Sequence, residues 1–161
     1  MTTVVVTGAN RGVGLELCRQ FARRGDKVIA TCRKDSLELR ETGAEIHEGI
    51  EVTDDASIHA LAGELQGRRI DILVNCAGIL TRESLDDLDI DRIRRQFEIN
   101  AISPLRVTAA LQGCLGRGSK VAIITSRMGS IEDNTSGGYY GYRMSKAAVN
   151  IVARSLAHDL K

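Results

Sequence analysis

At 161 residues the chain is long enough to bury one sizeable core and short for two, so residues 1–161 are read as a single domain. Its 43% hydrophobic and 27% charged residues describe an ordinary globular protein, and a formal net charge of +1 gives no reason to expect a nucleic-acid or membrane-surface partner. No apolar stretch is long enough to span a bilayer, and no signal peptide precedes the first strand-like run.

The four cysteines, Cys18, Cys32, Cys76 and Cys114, are scattered in apolar stretches without CxxC spacing. They read as small hydrophobes in a reducing, cytoplasmic setting. His47, His59 and His158 lie near no Cys or carboxylate cluster of metal-ligand type, so they read as solvated side chains and no metal is expected.

In chain order, an apolar run at 4–6 is closed by Thr7-Gly8. Val13, Leu17, Cys18 and Phe21 then repeat with helical spacing over 12–24. Strand-like runs follow at 27–31 and 44–50, and a helix is predicted over 56–66 with Asp54 or Asp55 as its N-cap. The run at 70–74 is a continuous apolar strand ending at Asn75. Helical patterns cover 85–97 and 99–115, 121–125 is a further buried strand, and a last helix is predicted over 140–160. Strands apolar throughout, alternating with helices, predict an α/β fold: a doubly wound parallel sheet with helices on both faces.

TGANRGVG, residues 7–14, lies between the first strand and the first helix. Gly8 permits a tight turn, Gly12 lets backbone N–H groups approach a diphosphate, and Gly14 allows close helix–strand packing. The spacing is GxxxGxG, not the GxGxxG of the usual dinucleotide fingerprint, but strand, glycine turn and helix come in the required order. An NAD site usually has an acid at the end of the second strand, to accept from the ribose 2′-hydroxyl. Here that strand ends Thr31-Cys32-Arg33, with no acid before Asp35. Arg11 and Arg33 suit a 2′-phosphate instead, which predicts NADP(H) in preference to NAD(H).

GGYYGYRMSK, residues 137–146, holds all three tyrosines. A phenol is a sluggish acid–base group at neutral pH, and a nearby ammonium favours its ionised form. A base four residues after a tyrosine shares its helix face. Tyr142 with Lys146 meets this condition, as does Tyr139 with Arg143, whereas Tyr140 is followed at that offset by Met144. Spacing alone leaves both pairs standing, although Gly137-Gly138 argues against a helix that begins early enough to pair Tyr139 with Arg143. Pro104, the sole proline, has no N–H to bond the carbonyl of Asn100 four residues back. Ser126 follows the predicted strand 121–125 and would emerge at the carboxyl end of the sheet, with Ser130 as its competitor. No histidine lies near Ser126 to make it a nucleophile.

Taken together, these motifs resemble those of the classical short-chain dehydrogenases/reductases (SDR). TGANRGVG is similar to their glycine loop, and VNCAG, 74–78, to their NNAG element with Cys76 for the second Asn. Asn100 matches the family's helix asparagine, Ser126 its strand-end serine and Tyr142-x-x-x-Lys146 its YxxxK. Residues 51–54 resemble the DVTD segment on the adenine side, with Glu51 in place of Asp. The stretch 126–148 is most similar to the C-factor and sniffer-like carbonyl reductase subgroup.

The resemblance implies a Rossmann-like domain and an oxidoreductase that reduces a small ketone or aldehyde with NADPH. It implies Tyr142 as proton donor, Lys146 as its modulator, Ser126 as the carbonyl-orienting donor, and Asn100 as a relay whose main-chain carbonyl holds a water. Cofactor contacts are implied at Gly8, Asn10, Arg11, Gly12, Val13, Gly14, Arg33, Glu51, Val52, Asn75, Ala77, Gly78, Tyr142 and Lys146. Helices at 97–115 and 142–160 would form a homo-oligomer. The family domain continues with further strands after the last helix, so the chain is expected to be partial or completed by a partner, with 121–125 left as an apolar edge. The alternative is a non-catalytic dinucleotide-binding module.

Overall fold

The computed structural model describes residues 1–161. The chain divides into two compact units, Met1–Ala77 with Arg106–Ile124, and Gly78–Leu105 with Thr125–Lys161.

The first unit holds a five-stranded parallel sheet of β1 (Thr3–Thr7), β2 (Lys27–Cys32), β3 (Glu45–Glu48), β4 (Ile70–Asn75) and β5 (Leu115–Ile123), in the order β3-β2-β1-β4-β5. Parallel neighbours need crossovers, usually helical. The chain supplies α1 (Gly12–Arg23) between β1 and β2, and α3 (Asp55–Glu64) between β3 and β4. The resulting fold is Rossmann-like, a parallel sheet flanked by helices. Strand order reverses at β1, with β2 on one side and β4 on the other, and ligands of such sheets bind beyond the strands' carboxyl ends at that point. The core is the apolar centre of β1, β2 and β4: Val4, Val5, Val6, Ile29, Ala30 and Leu73 are fully buried. Cys18 and Cys32 belong to it, and loss of solvation pushes their thiols up to about 12 and about 11, as expected of inert packing groups.

The second unit contains α4 (Ile90–Phe97), a π-helical turn (Glu98–Ile102), the start of α5 (Ser103–Ala110), a 3-10 turn (Arg127–Gly129) and α6 (Tyr140–Asp159). Its caps explain its boundaries. The predicted helix 85–97 begins only at Ile90, because Asp89 is extended and accepts the N–H of Arg92 at 2.9 Å. The predicted helix 99–115 is broken. It passes from the π turn into α5, ends at Ala110, and gives way to a 3-10 turn at Gln112–Cys114. In α3, the N-cap is Asp54, whose carboxylate accepts from Ala56 and Ser57. A four-residue helix, α2 (Leu37–Arg40), capped by Ser36, has no apolar periodicity to announce it.

The edge strands depart furthest from expectation. β5 runs from Leu115 instead of 121 and ends at Ile123, and it is half-exposed rather than buried. It pairs only with β4, and a register shift between Ile70 and Ile72 absorbs Gly116-Arg117-Gly118, which has no strand pattern. Ser119 stitches the irregularity by donating its hydroxyl to the Ile70 carbonyl at 2.6 Å.

At the other edge, β3 carries an ion cluster. Arg68 donates twice to the Glu45 carboxylate, at 2.6 and 2.8 Å. His47 is not the solvated side chain expected, for its ring nitrogens lie 3.0 Å from Glu45 and 2.7 Å from Glu64 and its side chain is 13% exposed. Hydrogen bonding from Arg68 holds the Glu45 carboxyl down at about 2, against an ordinary 4.5. A depressed carboxyl contributes stability that is present above its ordinary range and lost as pH falls through its folded value. Glu45→Gln should therefore lower stability at pH 7 by about 1 kcal/mol, since the pair is solvent-screened. Urea unfolding curves of variant and wild type should converge as pH drops from 4.5 to about 2.

Candidate active site

The glycine loop leaves β1 and enters α1 with no side-chain cap. Arg11 occupies the N-cap in extended conformation, and no acid stands in the first turn. The N–H groups of a helix's first turn have no partner within the helix, so the amides here suit an anion. Gly8 has φ +66°, and a Cβ on it would stand 2.7 Å from the Cα of Ala77. A Cβ on Gly14 would collide with the Gly8 carbonyl. Gly12 (φ +57°) faces open space, so its demand is purely conformational. Val13 is exposed beside it.

Neighbouring loops brace this turn. The Thr7 hydroxyl accepts the N–H groups of Cys76 and Ala77, at 3.0 and 3.1 Å, tying the VNCAG element to the end of β1. Asn10 donates from its side chain to the Lys34 carbonyl, and its own carbonyl accepts from Ser36, both at 2.9 Å. Asn10 thus joins the glycine loop to the segment after β2. Arg33 lies 3.7 Å from Glu51, so two predicted cofactor residues come together as a loose ion pair. Val52 is buried, and its carbonyl accepts from Arg106 at 3.2 Å.

A dinucleotide fits these residues on an observation besides the glycines. Thr31 Oγ1 and Asn75 Oδ1, at the carboxyl ends of β2 and β4, are buried without a hydrogen-bond partner. A polar ligand there would satisfy them. The Asn75 amide nitrogen is already held by the Thr108 hydroxyl at 3.1 Å.

In the second unit, α6 begins at Tyr140, so Tyr142 lies in its first turn and Lys146 one turn later. The Lys146 ammonium is 5.6 Å from the centroid of the Tyr142 ring, and Lys146 is buried at 5% exposure. Tyr139 is the N-cap in left-handed conformation, φ +52°, outside the helix. Its offset partner Arg143 turns back to donate to the carbonyls of Gly137 and Gly138 and to Ser136. The guanidinium over the Tyr139 ring is that of Arg82, at 5.9 Å. Of the two tyrosine–base pairs, only Tyr142 and Lys146 lie together within the helix.

Asn100 sits in the π turn, 1% exposed. Its side chain accepts the Ile79 N–H and donates to the Ile79 carbonyl, both at 2.8 Å, and donates to Ser145 at 3.0 Å. Ser145 in turn donates to the Tyr142 carbonyl at 2.9 Å. The side chain of Asn100 is therefore a clamp between the segment after Gly78 and the catalytic-helix candidate α6. π turns of this kind are enriched at functional sites. Ser126 caps the following 3-10 turn, accepting the Met128 N–H at 3.1 Å, and its competitor Ser130 accepts from Asp133 at 3.2 Å. That turn rests on α6, where a Cβ on Gly129 would stand 2.7 Å from the carbonyl carbon of Lys146.

The family model for the short chain dehydrogenases matches residues 2–161. The chain belongs to the short-chain dehydrogenase family. Among SDR relatives, 1-hydroxy-2-glutathionyl-2-methyl-3-butene dehydrogenase of Rhodococcus sp. (strain AD45) is 44% identical over 99% of this chain and 72% of its own length. The C-signal protein of Myxococcus xanthus is 48% identical over 57% of each chain. A carbonyl reductase from Pseudomonas aeruginosa PAO1, solved in complex with NADP, superposes with TM-score 0.88 at 32% identity, covering 99% of this chain and 76% of that one. No helix is long and apolar enough to cross a membrane.

Thr7, Ser36 and Thr108 in the first unit, and Ser145 and Glu83 in the second, carry no signal in the sequence. Each is a polar residue with a hydrogen-bond partner at least 26 positions away. The glycine geometry makes a contrast that unfolding measurements can check. Gly12→Ala should cost about 1–2 kcal/mol for its left-handed backbone alone. Gly14→Ala should cost about 1–3 kcal/mol or more through overpacking and should also abolish NADPH binding, read by the cofactor's fluorescence.

Proposed function

We propose that this chain is the dinucleotide-binding and catalytic part of an NADPH-dependent carbonyl reductase, one domain over residues 1–161 in a reducing, cytoplasmic setting. The observation that carries the reading is Tyr142 in the first turn of α6 with the buried Lys146 ammonium 5.6 Å from its ring. NADPH bound at the glycine loop supplies a hydride to the carbonyl carbon. The chain's own residues handle binding, orientation and the proton.

The first-turn amides of α1 would hold the diphosphate, with Gly8, Gly12 and Gly14 keeping the approach open. Arg11 and Arg33 would receive a 2′-phosphate, in keeping with β2 ending in Cys32-Arg33 without an acid. Asn75, Ala77 and Gly78 would line the nicotinamide side. Tyr142 donates its hydroxyl proton to the substrate oxygen as charge develops there, and the Lys146 ammonium stabilises the phenolate left behind. Ser126 orients the carbonyl by a second donor. The phenolate would regain its proton by way of Lys146, resupplied by a water on the main-chain carbonyl of Asn100, a carbonyl to which Pro104 cannot donate because it has no N–H. The homo-oligomer belongs to the same reading, with Ile102, Leu105 and Ile151 exposed on its helices.

A second reading runs the same site in the alcohol-oxidising direction, favoured by the 44% identity to a dehydrogenase. Tyr142 is then the base, and NADP+ reduction by an alcohol panel separates the two directions.

Tyr142→Phe should reduce NADPH-dependent carbonyl turnover by about 10²–10⁴-fold while leaving NADPH binding intact. Undiminished turnover, or loss only in Tyr139→Phe, would refute the assignment. NADPH binding without turnover on any carbonyl or alcohol would favour the non-catalytic module. Arg33→Ala should weaken NADPH about 10–100-fold, the worth of a charge-assisted hydrogen bond, and leave NADH unchanged. A wild-type preference for NADH would overturn the cofactor reading.

A further inference from the structure

The catalytic-helix candidate α6 starts without the residue a helix start requires. Its N-cap is Tyr139, which makes no side-chain cap bond and is the one non-glycine residue at positive φ. A tyrosine offers nothing to the orphan N–H groups of the first turn. Two of the N–H groups at this start nevertheless find acceptors on one residue far earlier in the chain. The main-chain carbonyl of Glu83 accepts the Tyr139 N–H at 2.9 Å, and its carboxylate Oε2 accepts the Gly141 N–H at 3.2 Å.

Glu83 is 4% exposed, an expensive place for a carboxylate. Its other oxygen accepts from the Thr81 hydroxyl and from Gln96 Nε2, the latter at 3.0 Å. Gln96 is fully buried and is itself oriented by the Thr81 N–H, which donates to its Oε1 at 3.0 Å. Each of these hydrogen-bonding neighbours donates, and the side chain sits at the positive end of α6. The network also dictates its surroundings, since a Cβ on Gly141 would collide with the Gln96 amide. Gly141 is the residue immediately before Tyr142.

We propose that Glu83 is a positioning residue for Tyr142: its buried carboxylate replaces the missing N-cap of α6 and fixes the first turn from which the phenol projects. The inference rests on Tyr142 as proton donor for its catalytic consequence, and on hydrogen bonds alone for its structural part.

The test uses the full chain and two kinds of readout. In the wild type, amide hydrogen exchange at Gly141 should be slow, although a second-position helix amide ordinarily lacks a partner and exchanges freely. Free exchange there overturns the proposal without any variant. Glu83→Met keeps a side chain of similar length and removes both carboxylate oxygens, leaving the main-chain carbonyl to Tyr139. It should speed Gly141 exchange at least tenfold, and should move the Tyr142 ring resonances, identified by their absence in Tyr142→Phe. With NADPH and a carbonyl substrate, kcat should fall at least tenfold at an unchanged KM for NADPH. Wild-type behaviour of Glu83→Met in exchange, resonances and kcat would show mere space-filling and overturn the inference. A wild type without turnover would instead refute the proposed function, with exchange and resonances still deciding the role of Glu83.

Discussion

A buried main-chain N–H outside any ladder or helix bond must find another acceptor, often a side chain, because leaving it unpaired costs about 1–3 kcal/mol. That constraint shapes both units of this chain. In the first, Thr7 meets it for Cys76 and Ala77 and so joins the turns after β1 and β4. In the second, Asn100 meets it for Ile79, and Glu83 for Gly141. Each is buried, and each holds a loop that could otherwise move relative to the residues assigned chemistry. Within each unit, these loops are therefore tied down by a few buried polar side chains.

The complementary constraint is steric. Gly8 against Ala77, Gly129 against Lys146 and Gly141 against Gln96 are places where backbone or a buried amide comes too near for a Cβ. Close approach and polar satisfaction operate together: Thr7 can reach two amides of the β4 turn because Gly8 lets that turn come in. Likewise the Gln96 amide that donates to Glu83 can come in because position 141 carries no side chain. In Rossmann-like sheets this concentrates small residues at the carboxyl ends of the strands, where ligand and catalytic backbone must approach.

The central strands are legible because β1, β2 and β4 are buried over most of their length and read as apolar runs, Asp71 apart. The edges are not. β5 exposes much of its length and carries Gly116-Arg117-Gly118, so its first half has no strand signal and the pairing alone makes it one. The sequence predicts one continuous helix over 99–115 because its apolar spacing is continuous. The π turn, Pro104 and the stop at Ala110 depend on backbone hydrogen bonding that periodicity does not register.

For the site, what residue order alone determined is whatever depends on neighbours along the chain. The glycine loop between strand and helix, the missing acid after β2 and the four-residue interval from Tyr142 to Lys146 all follow from local geometry of turns and helices. What only the tertiary structure decided is which of two tyrosine–base pairs stands inside a helix, and what completes that helix's start. Arg143 bends back to a loop and Tyr139 falls in left-handed backbone, neither of which spacing encodes. The acceptor for Gly141 comes from Glu83, 58 residues away, so nothing in the local pattern of the helix start encodes it.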